Sequence, residues 1–286
     1  MAIDYDKLMS MKFDPIEETY SSDDSILYAL GVGLGLDPMN EDELAFVYEK
    51  DQRVLPTMAV VLAHPGLWQK DRDTGITYLK ALHGEQSVVL HRPLAPEATV
   101  IGQESIVDLI DKGEGKGALM MVERTLTDKA TGELIATSTS TAFLRADGGF
   151  GGPARSQPKP HVLPERAPDM VCDLPTSAQG ALIYRLCADR NPLHADPAVA
   201  QAAGFPSPIL HGLATYGLAG HALLKSVCGY DPARLKSIAA RFSAPVFPGE
   251  TFRTEIWKDG NVVGFQVRVV ERDIVAISNG RAEIGD

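Results

Sequence analysis

The chain has 286 residues, 44% hydrophobic and 23% charged, with a formal net charge of -11. That is enough apolar mass for a real core in one large or two medium domains, and the acidic balance argues against a nucleic-acid partner, which would ask for a basic face. No apolar run approaches the roughly 18 residues of a membrane-crossing helix, residues 1–12 lack a charged-then-apolar leader, and Cys172, Cys187 and Cys228 lack a paired spacing and read as reduced thiols, so a soluble cytoplasmic protein is expected.

In chain order, residues 25–30 make a helical start. The run Gly31-Val32-Gly33-Leu34-Gly35 follows it as GxGxG on a helical pattern, which is not a dinucleotide-binding fingerprint. Residues 82–86 carry a His-Gly pair, His83-Gly84, expected to be a turn leading into a strand. Residues 111–117, with Lys112 among three glycines, read as a hairpin tip and not as a phosphate-binding loop, since GxxxxGK[ST] is absent. Residues 148–168 hold four glycines and then five prolines, a composition that favours extended backbone over helix and marks a linker.

Beyond the linker, residues 176–187 read as a helix capped by Thr176 or Ser177. The next stretch packs Asp189, Asn191 and His194 into six residues, with Pro192 stiffening the turn and blocking helix through Asn191. A carboxylate and an imidazole held close can share one water, taking a proton from it and returning one elsewhere. The bland alternative, an Asx turn with surface polar groups, fits the spacing equally well. Residues 209–227 are apolar on most positions and so read as a buried helix opened by His211-Gly212. The Gly212 N–H would lie at the positive end of that helix and could meet a ligand oxygen; a glycine kept for packing is the competing reading. Strands are expected over 237–246, 251–258, 262–271 and 274–283, where β-branched and aromatic residues alternate with charges, with a hairpin turn at 258–261. GxSxG and HExxH are absent and the seven histidines are scattered, so a metal site is not expected.

The halves look like divergent copies. Residues 25–30 align with 181–186, 93–96 with 245–248, and 122–124 with 270–272, at offsets of 156, 152 and 148. Each half runs from a helical start through an irregular segment into alternating strands, an antiparallel sheet around a long buried helix.

Residues 184–197, YRLCADRNPLHADP, resemble the signature of the hydratase 2 or MaoC-like dehydratase family of the hotdog superfamily. The likeness extends to residues 208–212, 240–242 and 245–249, and in the first half to 54–57, 82–86, 111–113 and 148–152. The resemblance implies an α+β double hotdog. Residues 1–147 would form a non-catalytic repeat that helps bind acyl and CoA groups, 148–170 the linker, and 171–286 the catalytic repeat. It implies reversible hydration of a trans-2-enoyl-CoA to the (3R)-3-hydroxyacyl-CoA without a cofactor, in a homodimer. Asp189 and His194 would hold the water, Asn191 would orient them, and the Gly212 N–H would face the thioester oxygen. His83, Gly84, Lys112, Arg190, Pro192, Leu193 and Phe242 would contact the acyl-CoA, and Glu49 would give structural support. The stretch from Glu49 to His83 is shorter than in the multifunctional enzymes of the family, so acyl preference does not transfer. A hotdog thioesterase and a non-catalytic acyl-CoA-binding subunit are the alternatives; the intact set of Asp189, Asn191 and His194 argues against the second.

Overall fold

The structure, a computed structural model, describes residues 2–187 and 189–285; Ala188, inside the 184–197 motif, lies outside the described residues. Helix α1 (Tyr5–Met9) precedes strand β1 (Ile16–Tyr20), helices α2 (Ser22–Gly31), α3 (Glu41–Val47) and α4 (Trp68–Asp71), and strands β2 (Ala81–Leu90), β3 (Ala98–Asp111), β4 (Ala118–Asp128) and β5 (Leu134–Leu144). The second half supplies β6 (Met170–Pro175), α5 (Gly180–Cys187), α6 (Pro197–Ala202), α7 (Gly212–Val227), β7 (Leu235–Phe242), β8 (Thr251–Asp259), β9 (Val262–Val269) and β10 (Ile274–Ile284).

All ten strands join one antiparallel sheet in the order β1-β3-β4-β5-β2-β7-β10-β9-β8-β6. The order is its own mirror about the β2–β7 seam: each strand of the first half has a counterpart in the second, β1 with β6, β2 with β7 and so on to β5 with β10. Two of the three aligned pairs occupy equivalent places, 25–30 with 181–186 on α2 and α5 and 93–96 with 245–248 after β2 and β7; the third does not, because 122–124 lie inside β4 whereas 270–272 form the turn after β9. The helices that carry the first pair, α2 and α5, pack together, with the Tyr28 and Tyr184 rings 5.9 Å apart. This is the double hotdog expected from the motifs.

One detail departs from that expectation. Among the described residues, the long central helix is present only in the second half, as α7, twelve of whose sixteen residues are buried. The corresponding place in the first half holds a short 3-10 turn, Pro56–Val60, all five residues of which are buried. The turn and α7 meet closely. A Cβ on Gly220 of α7 would come 2.6 Å from Thr57 Cγ2, and one on Gly217 would come 2.6 Å from Val32 Cγ1. The glycine face of α7 thus lies close against the first repeat, and the 56–60 turn does not lengthen into a helix because Ala63 takes φ 48° and Pro65 follows.

Helix boundaries moved for identifiable reasons. The 176–187 helix begins only at Gly180, because Thr176 bonds the Glu250 carbonyl through both its N–H and its hydroxyl. The 209–227 helix begins at Gly212, because the Leu210 N–H is taken by the Val246 carbonyl. The hairpin turn sits at Gly260-Asn261, where Gly260 supplies φ 59°. The segment before β6 runs along the second half of the sheet: the Trp257 indole N–H donates to the Arg166 carbonyl (2.7 Å), and Asn279 donates to the His161 carbonyl (2.8 Å). A smaller core outside the sheet packs Leu8, Phe13 and Trp68 against Ile106, Leu109 and Met120.

Candidate active site

The loop after α5 is built from two consecutive Asx turns. The Asp189 carboxylate accepts the Asn191 N–H at 2.9 Å, and the Asn191 carboxamide oxygen accepts the Leu193 N–H at 3.1 Å. The second bond caps a 3-10 turn, Pro192–His194, with Pro192 at its first position, where a missing N–H costs nothing. The Asx turns of the alternative reading are therefore present, and they fix where the ionisable groups stand. Asn191 is joined to both through its backbone, donating its N–H to Asp189 and accepting the His194 N–H on its carbonyl at 3.2 Å.

His194 is buried, while Asp189 and Arg190 remain exposed. The His194 Nδ1 lies 2.8 Å from the Ile209 carbonyl, which can only accept, so Nδ1 carries the hydrogen and Nε2 keeps the basic lone pair. Burial lowers the His194 pKa against the opposing pull of the Ile209 carbonyl and the Asp189 charge, so the ring is neutral at pH 7. One side-chain atom each of Asp189, His194 and His211 lies within 4.8 Å of the others.

Gly212 opens α7 beside this pair, and the first N–H groups of a helix have no intrahelical acceptor. A Cβ there would meet nothing closer than the Phe242 ring at 3.6 Å. Packing therefore does not demand glycine at 212, unlike at 217 and 220. An N–H at the positive end of a 16-residue helix is suited to an oxygen that gains negative charge.

The β2–β7 seam brings two further candidates to the same place. His83 of β2 meets Phe242 of β7 edge-to-face at 4.9 Å, and Phe242 in turn borders Gly212. The His-Gly pair does not form the expected turn ahead of a strand: it lies within β2, where the register shifts between His83 and Glu85 and so makes Gly84 a bulge. Pro192 is exposed and Leu193 half-buried on the 3-10 turn. Lys112 stands apart from the dyad on the β3–β4 loop, its ammonium 5.1 Å from the centroid of the Phe143 ring. Phe143 pairs with Leu82, next to His83. That loop is firmly held, because Asp111 accepts the N–H groups of Gly113, Gly149 and Gly151 at 2.7–2.8 Å.

Glu49 requires a correction. It is exposed on the surface past α3, and the buried carboxylate of that region is Glu43. Glu43 accepts from Tyr230 Oη (3.0 Å), Asn40 Nδ2 (2.9 Å) and the Gly35 N–H (3.0 Å), and lies 3.4 Å from His221 of α7. Burial alone would raise its pKa; His221, Gly35 and Tyr230 outweigh that and hold it at about 2.

Sequence reasoning gave His211 no role of its own at the site. His211 is buried and its ring stacks on His194 at 3.7 Å with 26° between planes. The Asp189 charge also acts on His64 and Tyr78 of the first repeat, in each case less than burial does. A His-Pro-Gly turn at 64–66 was the only signal for His64, and Tyr78 left none.

Among the described residues, Asp189, His194 and His211 are the one group spaced to close on a metal ion. The two imidazoles do not fit that role. Lone pairs lie in the ring plane, and two nearly parallel planes 3.7 Å apart do not aim them at one ion at the roughly 2.0–2.1 Å that zinc requires. The arrangement suits a neutral base, a carboxylate and an N–H donor around one small polar molecule.

Residues 160–280 match the family described as MaoC like domain, and residues 19–146 match the MFE-2 hydratase 2 N-terminal domain. The chain is 43% identical to 3-hydroxyacyl-thioester dehydratase Y of Mycobacterium tuberculosis, over 90% of this chain and 88% of that protein. It is 40% identical to the peroxisomal enoyl-CoA hydratase 2 of Arabidopsis thaliana, over 94% of this chain and 91% of that one. A crystal structure of a MaoC-like dehydratase from Phytophthora capsici superposes with a TM-score of 0.88 at 34% identity, covering 99% of this chain and 98% of the other.

Proposed function

Because the chain belongs to the MaoC-like dehydratase family, in its hydratase 2 branch, we propose that it reversibly hydrates a trans-2-enoyl-CoA to the (3R)-3-hydroxyacyl-CoA. The observation that carries this reading is the pairing of Asp189 with a neutral His194 beside the N-terminus of α7.

The thioester oxygen accepts the Gly212 N–H. Asp189 and His194 hold a water over C3. The water oxygen bonds to C3, the C2–C3 π electrons move toward the thioester carbonyl, and the pair takes the water proton. Negative charge on the carbonyl oxygen is stabilised by the Gly212 N–H, and loss of one such donor costs about 3–4 kcal/mol in comparable sites. The pair then delivers a proton to C2, so H and OH have added across the double bond and no cofactor is consumed. The acid and base roles belong to the pair. His83, Gly84 and Phe242 border the thioester, Arg190, Pro192 and Leu193 the acyl-CoA side of the loop, and Lys112 a phosphate of the CoA. In this division residues 1–147 shape the acyl-CoA side, 148–170 connect, and 171–286 carry the chemistry.

Loss of the enoyl-thioester absorbance of crotonyl-CoA and decenoyl-CoA, with chiral analysis of the product, tests the reading. Release of free thiol without hydration would identify a thioesterase instead, and the (3S) product would overturn the stereochemistry. We further propose a homodimer in a reducing cytoplasm. Three unbridged cysteines support the compartment, and exposed Leu30, Leu182 and Leu186 on the paired helices α2 and α5 support a subunit contact. Sedimentation and cell fractionation check both, and a monomer would remove the contact.

A further inference from the structure

His211 touches Asp189 and His194 and directly precedes Gly212, yet the mechanism above does not use it. It is the residue before the Gly212 N–H and is 3% exposed. Its Nε2 lies 2.9 Å from the backbone carbonyl of Asp189, an acceptor only, so Nε2 carries the hydrogen and donates. One face of its ring lies on His194 at 3.7 Å, and the Tyr184 ring approaches at 5.0 Å. Its Nδ1 is buried and has no hydrogen-bond partner among the described residues. A buried acceptor without a protein donor calls for an explanation.

We propose that His211 is a positioning residue that holds Asp189, His194 and the Gly212 N–H in one register, and that its ring face stabilises His194 when His194 carries the proton during turnover. This rests on the hydratase reading. The tether works through the Asp189 backbone, so the carboxylate remains free to meet water. The stack works through the ring face, whose π electrons attract a cation above them. Only one of the two stacked imidazoles can carry charge, and His211 is the one held neutral: burial and then the neighbouring His194 depress its pKa to about 4. The ionisable groups around it are Asp189, His194, Tyr184 and Arg185, the first of which favours its protonated form and the last of which opposes it.

Two substitutions separate the two roles. His211→Gln keeps an N–H that reaches the Asp189 carbonyl and loses the ring. His211→Phe keeps a ring under His194 and loses the donor. For His211→Phe, kcat is expected to fall about 10- to 100-fold while KM changes less than about threefold, because a 1 Å misplacement of catalytic groups costs on that order. For His211→Gln, the loss in kcat is expected to be smaller, and the acid limb of kcat against pH should move to lower pH by about half a unit, as the protonated His194 loses its π partner. In His211→Phe that limb should stay in place. A merely structural residue would move neither the limb nor kcat in folded protein. Circular dichroism and the urea midpoint establish folding. Should either variant fail to fold, 15N imidazole spectra of the wild type decide: His194 is expected protonated at Nδ1 and His211 at Nε2, both neutral at pH 7, and the opposite tautomer of His211 overturns the proposal. So do folded variants that keep kcat within twofold with an unmoved limb, or that change KM alone. A wild-type protein that hydrates no enoyl-CoA overturns the functional reading itself, an outcome distinct from insensitivity of an active enzyme to substitution at 211.

Discussion

Gly220→Ala puts the closest approach between the two repeats to the test. In an exposed helix interior this change gains about 1 kcal/mol, because alanine has less backbone freedom to lose on folding. At 220 the new Cβ would stand 2.6 Å from Thr57 Cγ2, whereas carbons rest at about 3.5–4.0 Å. Thr57 is fully buried, β-branched and tied through its hydroxyl to Tyr28 Oη at 3.1 Å, so it cannot swing aside cheaply. Overpacking of this kind costs about 1–3 kcal/mol, which cancels or exceeds the helix gain and leaves the variant about 0–2 kcal/mol less stable. Thr57→Ser removes the offending methyl group and keeps the hydroxyl. In the double variant the overlap disappears while the alanine gain remains, so the cycle should show a favourable coupling of about 1 kcal/mol or more. Urea unfolding of the four proteins measures it, read from midpoints at constant m-value. If Gly220→Ala is stabilising by the full ~1 kcal/mol, or the two changes add within about 0.5 kcal/mol, then α7 and the 56–60 turn are not in the contact described.

Asp189→Asn and His194→Gln are each expected to lower kcat by about 10²–10⁴ with folding intact, and near-full crotonyl-CoA hydration by either variant would remove the dyad assignment. Lys112→Ala should raise KM for acyl-CoA more than it lowers kcat; a fall in kcat at constant KM would take Lys112 out of CoA binding. Glu43→Gln turns one carboxylate acceptor into a donor facing Tyr230, Asn40 or Gly35. It should destabilise the protein by about 2–4 kcal/mol in urea unfolding, while Glu49→Gln should change little. Acid should act in two steps. His211 is held at about 4, so the unfolded chain takes its proton first and stability falls as pH drops from about 6.5 to about 4. Glu43 is held at about 2, so its contribution is complete above about 4.5 and is lost as pH falls through about 2. A urea midpoint that is flat between pH 7 and pH 4 would contradict the first step.

The sequence by itself determined the elements and their repetition. Strand alternation, the proline-rich segment, the apolar run of α7 and the 189–194 turn signals all depend on neighbours a few residues apart, so they could be read without a fold. The same holds for the Asx turns that fix Asp189 and His194, since their partners lie two residues along the chain. The tertiary structure decided the rest. Pairing of β2 with β7 joins residues about 150 apart in sequence and sets His83 against Phe242. Only packing of α7 on the first repeat shows that the second long helix is missing, that Glu43 and not Glu49 is the buried carboxylate, and that Gly212, unlike Gly217 and Gly220, is not required by packing. The stack of His211 on His194 joins a helix cap to a loop 17 residues earlier, and no local pattern encodes it. A chain specifies such contacts only through the shape of the whole sheet, because the face a side chain meets is set by which strands have paired.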